Sequence, residues 1–329
     1  MTHSRTISFG EIESLEITPR ECVDWAYEAI QNKHEWILPE KNSIKFGDNC
    51  FFNTMPSLHP KKNIFGVKVV SRIPSRNPAL KADILLYDTL AGELLACMDG
   101  TWITTMRTGA VAAITMNLLK KRDAKKICFI GLGNTARATL LCYDSLCGGQ
   151  ELNVTVLAYK NQHREFIERF RDHQNIKIEM CEGIEKIISN SEIVVSCVTA
   201  TNSIFAPENC YNKGVLVVPV HTRGFQNCDL FFDKIICDDI AHISGFEYFS
   251  RYKSVVELSD IVPSPIYSAK QAGNNGVLQP IVSRKRGRES DDERILAYNI
   301  GISIQDIHFA TKIFERMEHK KDERCKFWV

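Results

Sequence analysis

Short apolar runs alternate with amphipathic stretches through the middle of the chain. The stretches 135–146 and 162–173 follow the period of a surface helix. The apolar runs are rich in β-branched residues, which is typical of buried parallel strands, and they lie at 125–133, 153–159, 192–200, 214–220 and 234–239. Strands and helices at these intervals predict right-handed crossovers. We therefore predict an α/β fold with a Rossmann-type, doubly wound parallel sheet.

The first 120 residues show a different pattern. Residues 14–33 predict an opening helix that is capped near Thr18 and has Pro19 at its first position. Strands separated by turn residues follow, and then a long helix leads into the doubly wound region; these segments are 65–74, 83–100 and 104–121. The pattern is typical of a mainly antiparallel unit.

A second long amphipathic helix, at 299–317, comes after the doubly wound pattern has ended. We expect it to return and pack on the first domain, which makes that domain a discontinuous α+β unit. The predicted segments are 1–119 for the first part of that domain, 120–294 for the Rossmann-like domain and 295–329 for the returning helix. The stretches 263–276 and 283–294 are predicted loops.

Composition narrows the class of partner. Lys and Arg number 41 against 40 Asp and Glu, for a net charge of +1, which argues against a nucleic acid or a membrane surface. The start of the chain lacks the pattern of a signal peptide, and no apolar stretch reaches the roughly 20 residues that span a bilayer. The 12 cysteines are scattered without metal-ligand spacing. We expect a cytoplasmic protein without a bound metal.

A glycine turn after the first of the parallel strands is the main candidate for cofactor binding. Gly131 permits the tight turn, Gly133 lets the backbone approach a pyrophosphate, and Ala136 lets the helix pack closely on its strand. Amide groups at the helix start, at Asn134 and Thr135, are suited to bind the anion. The alternative is a glycine turn that binds no ligand.

The end of the second parallel strand bears on the choice of cofactor. An NAD enzyme usually has an acid there for the ribose hydroxyls, whereas a basic residue suits the 2′-phosphate of NADP. This chain has Tyr159 and Lys160, with Arg164 close behind and no acid. The charge favours NADP over NAD. The alternative is that Lys160 is solvated and NAD binds without an acidic contact.

An ordered series of motifs resembles the ornithine cyclodeaminase/mu-crystallin family over nearly the whole chain. The series is TMPS, FGVKVVS, MRTGAVAAI, GLGNTARA and a closing segment that ends in NIGISIQD, at 54–57, 65–71, 106–114, 131–138 and 287–306. The resemblance implies an NAD(P)-dependent enzyme with a substrate cavity built mainly from the first domain. It also implies a homodimer joined through that domain's sheet, since pairing across a two-fold axis removes open strand edges.

The resemblance assigns substrate contacts in the first domain. Lys68 and Arg107 match the family residues that hold the substrate carboxylate, and a guanidinium offers that group a two-pronged contact. Met55 matches the family's pocket methionine. Lys41 falls near another basic substrate-binding position. The alternative for each cation alone is a solvated surface residue.

The resemblance also assigns cofactor contacts. Thr108 matches a pyrophosphate contact, and Thr199 falls at the carboxyl end of a strand, where doubly wound sheets bind ligands. Pro219 and Val220 match the strand end that flanks the nicotinamide. Asn299 matches a position near the nicotinamide carboxamide. The alternative for Asn299 is that it caps the following helix.

Two positions depart from the cyclodeaminase pattern. Arg223 stands where those enzymes have an aspartate that serves as acid or base, and Asn53 stands where a pocket glutamate is expected. A cation cannot accept a proton, so cyclodeamination of a diamine is disfavoured. Arg223 could instead bind a second carboxylate. His221 is the candidate replacement acid, ahead of Asp229; the alternative is a strand-end histidine with no catalytic role.

These expectations converge on hydride transfer between the nicotinamide and the α-carbon of a small amino acid or its imine. The substrate is then an amino acid, keto acid or imine, and the enzyme an amino acid dehydrogenase or a ketimine reductase. The alternatives are an ornithine-type cyclodeaminase and a non-catalytic NADP-binding protein of the mu-crystallin kind. A nucleotide-sensing regulator is a weaker alternative, since no DNA-binding motif is present.

Overall fold

The structure, a computed structural model, describes residues 4–198, 204–221, 224–226, 228–263 and 287–326. The chain forms two compact units. Unit 1 comprises Met1–Arg107 and Ile302–Val329, and unit 2 comprises Thr108–Gly301. Among the described residues, no helix combines the length and the apolar character that crossing a membrane requires.

Unit 1 is built on a six-stranded sheet of order β1-β6-β5-β4-β3-β2. Strands β2 to β6 pair antiparallel, and the short β1 pairs parallel with β6. The strands are β1 Arg5–Ile7, β2 Asn42–Phe46, β3 Cys50–His59, β4 Ile64–Arg72, β5 Leu80–Asp88 and β6 Leu94–Asp99. Burial alternates along β3 to β6, so one face of the sheet is covered and the other is partly open.

Helices accompany this sheet. They are α1 Phe9–Glu13, α2 Pro19–Gln31, α3 Thr101–Leu119, whose later residues belong to unit 2, and the C-terminal helix Ser303–Lys326, here called α8. The predicted cap of α2 is confirmed: Thr18 Oγ1 accepts from the Glu21 amide at 3.2 Å, and the Glu21 carboxylate accepts from the Thr18 amide at 2.9 Å.

A glycine allows α8 to lie close to β4. A methyl group at Gly66 would come within 2.6 Å of Ile307 Cδ1 and 2.7 Å of its Cγ2. Ile307 is fully buried, so it has little room to yield. The absence of a side chain at Gly66 therefore sets the distance between helix and sheet.

Unit 2 contains an eight-stranded, all-parallel sheet of order β13-β12-β14-β11-β10-β7-β8-β9. The strands are β7 Lys126–Ile130, β8 Leu152–Leu157, β9 Ile176–Cys181, β10 Ile193–Ser196, β11 Leu216–Pro219, β12 Lys234–Cys237, β13 Val255–Glu257 and β14 Ile295–Tyr298. The helices are α4 Asn134–Cys147, α5 Gln162–Arg169, α6 Ile184–Ser189 and α7 Ile240–Ile243. The predicted doubly wound α/β fold is confirmed. The strand order reverses between β7 and β10, which is where such sheets bind ligands.

The sequence-based division at 294/295 differs from the structure. Ile295–Tyr298 forms a buried strand between β11 and β12, so it belongs to unit 2, which ends at Gly301. Residues 295–298 are four apolar residues between a charged stretch and a long helix, and so few residues show no alternation that would predict a strand. The sheet neighbours supply the stabilisation that local pattern does not show. The upstream boundary also differs, at 107/108 within α3.

Candidate active site

Two cations predicted to bind substrate, Lys68 and Arg107, meet at one carboxylate in unit 1. Lys68 lies on β4 on the covered face of the sheet, and its Nζ is 2.6 Å from Oδ2 of Asp306 on α8. Arg107 lies on α3, and its Nε is 2.9 Å from the other oxygen, Oδ1. Lys68 and Asp306 are almost completely buried, and Arg107 is 6% exposed. We refer to Lys68 and Arg107 as the cationic pair.

The cationic pair retains hydrogen-bonding capacity. Arg107 Nη1 donates to Gln305 Oε1 at 3.0 Å, whereas Nη2 has no hydrogen-bond partner among the residues that the structure describes. Within the same ranges Lys68 Nζ bonds Asp306 alone, so its other N–H groups lack an acceptor there. A guanidinium edge and an ammonium with spare donors fit a ligand carboxylate.

The charge on Lys68 is sensitive to its surroundings. Burial lowers the pKa of its ammonium group to about 8, and the positive charges of Arg107 and Lys41 act in the same direction. The carboxylate of Asp306 opposes them and raises this pKa. Lys68 is therefore cationic at neutral pH but loses its proton in mildly alkaline solution.

The predicted residues Met55 and Asn53 lie on the covered face beside Lys68. Met55 is opposite Lys68 in the pairing of β3 with β4, and Asn53 is opposite Val70 one step along the same face. Asn53 Oδ1 is buried and has no hydrogen-bond partner among the described residues. Lys41, which immediately precedes β2, is close enough to influence the ionisation of Lys68. The structure thus brings the predicted substrate residues of unit 1 together.

The glycine turn of unit 2 has the backbone geometry that a dinucleotide requires. Gly131 follows β7 with a φ of +84°, and a methyl group there would come within 2.3 Å of Val198 Cγ1. Nothing lies within 4 Å of a methyl group placed at Gly133, which leaves open space before α4. Gly133 is the N-cap of α4 and has no side chain to accept from the first amides of the helix. The amides of Asn134 and Thr135 therefore point into this open space. Buried Ala136 keeps α4 close to its strand. These residues fit a bound pyrophosphate.

A second glycine places Thr108 near this helix. A methyl group at Gly109 would come within 2.6 Å of the carbonyl carbon of Ala138, so α3 and α4 are in backbone contact. Thr108 is the residue that precedes Gly109 on α3. This packing places Thr108 beside α4, and its contact with the pyrophosphate remains a prediction.

The strand end after β8 presents a cation. Tyr159 is 56% exposed, and Lys160 has a φ of +48° with its Nζ 5.3 Å from the centre of the Tyr159 ring. An exposed ring and an ammonium at this position suit an adenosine bearing a phosphate.

Residues at the ends of β10, β11 and β14 form a connected group. The Val220 amide donates to the Ser196 carbonyl at 3.0 Å, and the Asn299 amide donates to the Pro219 carbonyl at 3.2 Å. Nε2 of His221 lies 2.7 Å from Ser196 Oγ. The predicted nicotinamide-side residues Pro219, Val220 and His221 thus lie at adjoining carboxyl strand ends.

Asn299 has a different partner from the one that helix capping requires. Its side-chain Nδ2 donates to Thr115 Oγ1 at 3.3 Å, and that hydroxyl donates its own hydrogen to the Val111 carbonyl at 2.8 Å. Helix α8 begins later, at Ser303. The alternative that Asn299 is a helix cap is therefore wrong, because its side chain is occupied by α3.

Some predicted residues lie outside the described part of the chain. Thr199 and Arg223 are in this group, and the side chain of Asp229 is also not described. Their assignments remain predictions.

Three site residues were not predicted from the sequence: Asp306, Gln305 and Ser196. A signal existed for the first two, because polar residues at 305 and 306 interrupt the apolar face of the helix at 303–313. A buried acid on a helix needs a cationic partner. Ser196 carried no comparable signal, since a serine in a buried strand is common.

Comparisons with known proteins extend over the whole fold. A model of the ornithine cyclodeaminase/mu-crystallin family matches residues 9–321. The Delta(1)-pyrroline-2-carboxylate reductase of a Bacillus cereus strain is 25% identical over 335 residues, covering 98% of this chain and 99% of that protein. Ketimine reductase mu-crystallin of Mus musculus is 26% identical over 162 residues, covering 48% of this chain and 50% of that protein.

Among solved structures, Thermococcus litoralis Delta(1)-pyrroline-2-carboxylate reductase in complex with NADH and L-proline has a TM-score of 0.75. It is 24% identical and covers 96% of this chain and 98% of its own. The similarity of fold therefore includes both units.

Proposed function

Because the chain belongs to the ornithine cyclodeaminase/mu-crystallin family, we propose that it is an NAD(P)-dependent reductase of a small cyclic imine whose C=N carbon carries a carboxylate. The observation that carries this proposal is the cationic pair, buried in unit 1 with donors left over for one carboxylate. The reverse reaction, oxidation of the cyclic amino acid, uses the same contacts.

Each unit has its own task. In unit 1, Lys68 and Arg107 bind the substrate carboxylate, and Met55 lines the same face. In unit 2, the amides that follow Gly133 hold the pyrophosphate, with Thr108 nearby. When bound, the nicotinamide supplies or accepts the hydride. Fixing the carboxylate by two charged contacts fixes the direction in which the imine carbon faces, and this orientation contributes to the rate.

Reduction also adds a proton to the imine nitrogen, and His221 is the residue we assign to supply it. An imidazole suits proton transfer near neutral pH. The bond between His221 Nε2 and Ser196 Oγ holds the ring at the carboxyl end of β11. With the family aspartate position occupied by Arg223, His221 is the remaining acid–base group of this strand end.

The cyclodeaminase alternative requires a second amine on the substrate. Asn53 offers a neutral amide where a glutamate would pair with that ammonium, and its buried Oδ1 alone cannot balance the charge. Arg223 adds positive charge to the sequence at the second acidic position. A neutral imine ring is therefore favoured over a diamine.

We also propose NADP as the preferred cofactor. Lys160 follows β8 where an acid would bind the ribose of NAD, and Tyr159 offers an exposed ring beside it. The positive charge supports binding of a 2′-phosphate.

A homodimer joined through the unit 1 sheet is a further part of the proposal. Strand β2 is an exposed edge, and it carries Ile44 at 64% and Phe46 at 45% exposure. Phe52, 43% exposed, stacks on Phe46 with ring centres 6.0 Å apart. Apolar side chains along an open edge favour burial against a second copy. Sedimentation of the purified protein should give twice the chain mass, and Phe52→Asp should lower it to one chain.

The test of the function is reduction of Δ1-pyrroline-2-carboxylate and its six-membered-ring homologue, followed by the loss of reduced-nicotinamide absorbance. We expect turnover with both cofactors and a higher kcat/KM with NADPH. Release of ammonia from ornithine without net cofactor oxidation would support the cyclodeaminase instead. Tight cofactor binding without turnover of any imine, keto acid or amino acid would support a binding protein.

A further inference from the structure

We propose that Asp306 is the positioning residue of the cationic pair: its two oxygens hold Lys68 and Arg107 so that their remaining donors are presented to the substrate carboxylate. This inference rests on the proposed function, because it assigns a role in substrate binding. Asp306 itself acts through the two cations.

The geometry divides the carboxylate between the cations. Oδ2 accepts from Lys68 Nζ at 2.6 Å and Oδ1 accepts from Arg107 Nε at 2.9 Å, so neither oxygen is shared. Gln305, the preceding residue of α8, accepts from Nη1 of the same guanidinium. Together these acceptors occupy the Nε and Nη1 positions and fix the plane of the group. Nη2 is left to face a ligand.

The charges around Lys68 explain why an acid is needed at this position. Arg107 lies on α3, and Lys41 is the residue before β2. The positive charges of both lower the pKa of Lys68. The neighbours of Lys68 on β3 and β5 are Met55 and Ile84, which have no charge. Asp306 on α8 is the anion that raises the pKa of Lys68 most strongly, against the positive charges of Arg107 and Lys41. Without it, a buried ammonium beside a guanidinium would favour the neutral amine.

Asp306 therefore sets the pH range over which the pair binds a carboxylate. Its negative charge raises the pKa of Lys68 against burial and against the other cations. Removing that charge lowers the pKa and leaves Lys68 neutral at a pH where it is now protonated. The substrate would then lose one of its two charged contacts.

The experiment compares wild type with Asp306→Asn, which keeps the shape and removes the charge. We expect the alkaline limb of the pH profile of kcat/KM to shift to lower pH by about one unit or more. At pH 7.5, a pKa lowered by about one unit from about 8 reduces the protonated fraction of Lys68 about threefold, so KM for the imine should rise about threefold or more while the Kd for NADPH is unchanged. Glu315→Gln is the matched control, since it removes an exposed carboxylate from the same helix. An unchanged limb and KM in Asp306→Asn would overturn the inference.

Two further measurements keep the inference testable if Asp306→Asn does not fold or if the wild type does not reduce imines. Gln305→Leu removes the uncharged acceptor of Arg107 Nη1 and leaves the charge of Asp306 in place, so KM should rise without a shift of the limb. Binding of pyrrole-2-carboxylate, a planar analogue that cannot be reduced, reports on the cationic pair without turnover. If this acid binds at pH 7.5 at least about threefold more tightly to wild type than to Asp306→Asn, the role of Asp306 stands even if the proposed reaction fails. Equal binding to the two proteins would refute it.

Discussion

Nε2 of His221, two residues beyond the end of β11, lies 2.7 Å from Oγ of Ser196, the last residue of the neighbouring strand β10. Ser196 is completely buried, and its carbonyl also accepts from the Val220 amide. Ser196 therefore bonds to the segment after β11 through both its carbonyl and its hydroxyl, and these two contacts fix the imidazole ring of His221. This arrangement gives the proposed proton donor a defined orientation.

The first prediction concerns that donor. His221→Gln keeps a polar group of similar reach but cannot donate a proton near neutral pH, so kcat for imine reduction should fall by about 10²-fold or more. The Kd for NADPH should change little. Ser196→Ala should lower kcat less, since the imidazole remains but is less well held.

Stopped-flow and steady-state oxidation of NADPH would measure these effects. His34→Gln, an exposed histidine in unit 1, is the control for loss of a histidine elsewhere. If His221→Gln retains the wild-type kcat, another group protonates the imine.

The second prediction is the pH dependence of substrate binding in the wild type. The pKa of Lys68 is lowered to about 8, so its ammonium is present below that pH and lost above it. The carboxylate contact is lost with it, and KM for the imine should rise as pH increases through about 8. Initial rates over a pH series would test this. A KM that stays flat up to pH 10, where a lysine of ordinary pKa is still largely charged, would contradict the loss of this contact at about pH 8.

The third prediction tests the guanidinium. Arg107→Lys keeps the charge but cannot reproduce both the contact to Asp306 and the two-pronged contact to a substrate carboxylate. The loss of a charge-assisted bond should cost about 1.5–3 kcal/mol, which appears as a rise in KM of about tenfold or more. Arg20→Lys, on the exposed face of α2, is the control. A KM equal to that of wild type would remove Arg107 from substrate binding.

Much of this architecture could be predicted from the sequence, for reasons that particular residues illustrate. The runs around Val194 and Val217 are short, mainly apolar and rich in β-branched residues, which indicates buried strands, and Gly131 and Gly133 stand where a strand meets a helix. Lys68 and Arg107 were identified from motifs, and the structure shows them at one carboxylate. Their functional roles remain predictions.

What could not be predicted depended on contacts between distant segments. Asp306 is 238 residues from Lys68 in the sequence, and no local pattern shows that the returning helix places it against β4. Strand β14 is short and gains its stability from neighbours on both sides. Strand β1 has three residues and pairs in parallel with β6, which no periodicity in three residues can reveal.

The fourth prediction links the packing of α8 to the site. Gly66→Ala would place a methyl group within 3.0 Å of three side-chain atoms of Ile307, so the helix must shift. We expect a loss of about 1–3 kcal/mol in the free energy of unfolding. Because α8 also carries Asp306, KM for the imine should rise as well. Urea unfolding and initial rates would measure the two effects.

Gly10→Ala is the matched control for that variant. Nothing lies within 4 Å of a methyl group at Gly10, which is inside α1, so this change should leave both stability and KM near the wild-type values. A Gly66→Ala protein of wild-type stability would show that Ile307 can move aside without cost.

The last prediction concerns cofactor choice. Lys160 follows the second parallel strand, β8, with a left-handed backbone, φ +48°, and its ammonium lies over the Tyr159 ring. Lys160→Asp replaces the charge that suits a 2′-phosphate with one that repels it and can accept from a ribose hydroxyl. Aspartate also tolerates a left-handed backbone better than most residues. The ratio of kcat/KM for NADPH to that for NADH should therefore fall by about tenfold or more, mainly through KM for NADPH. Lys81→Glu changes another exposed lysine, in unit 1, and should leave the ratio unchanged. If Lys160→Asp also leaves it unchanged, the side chain of Lys160 is solvated and the preference, in either direction, is set by other residues of unit 2.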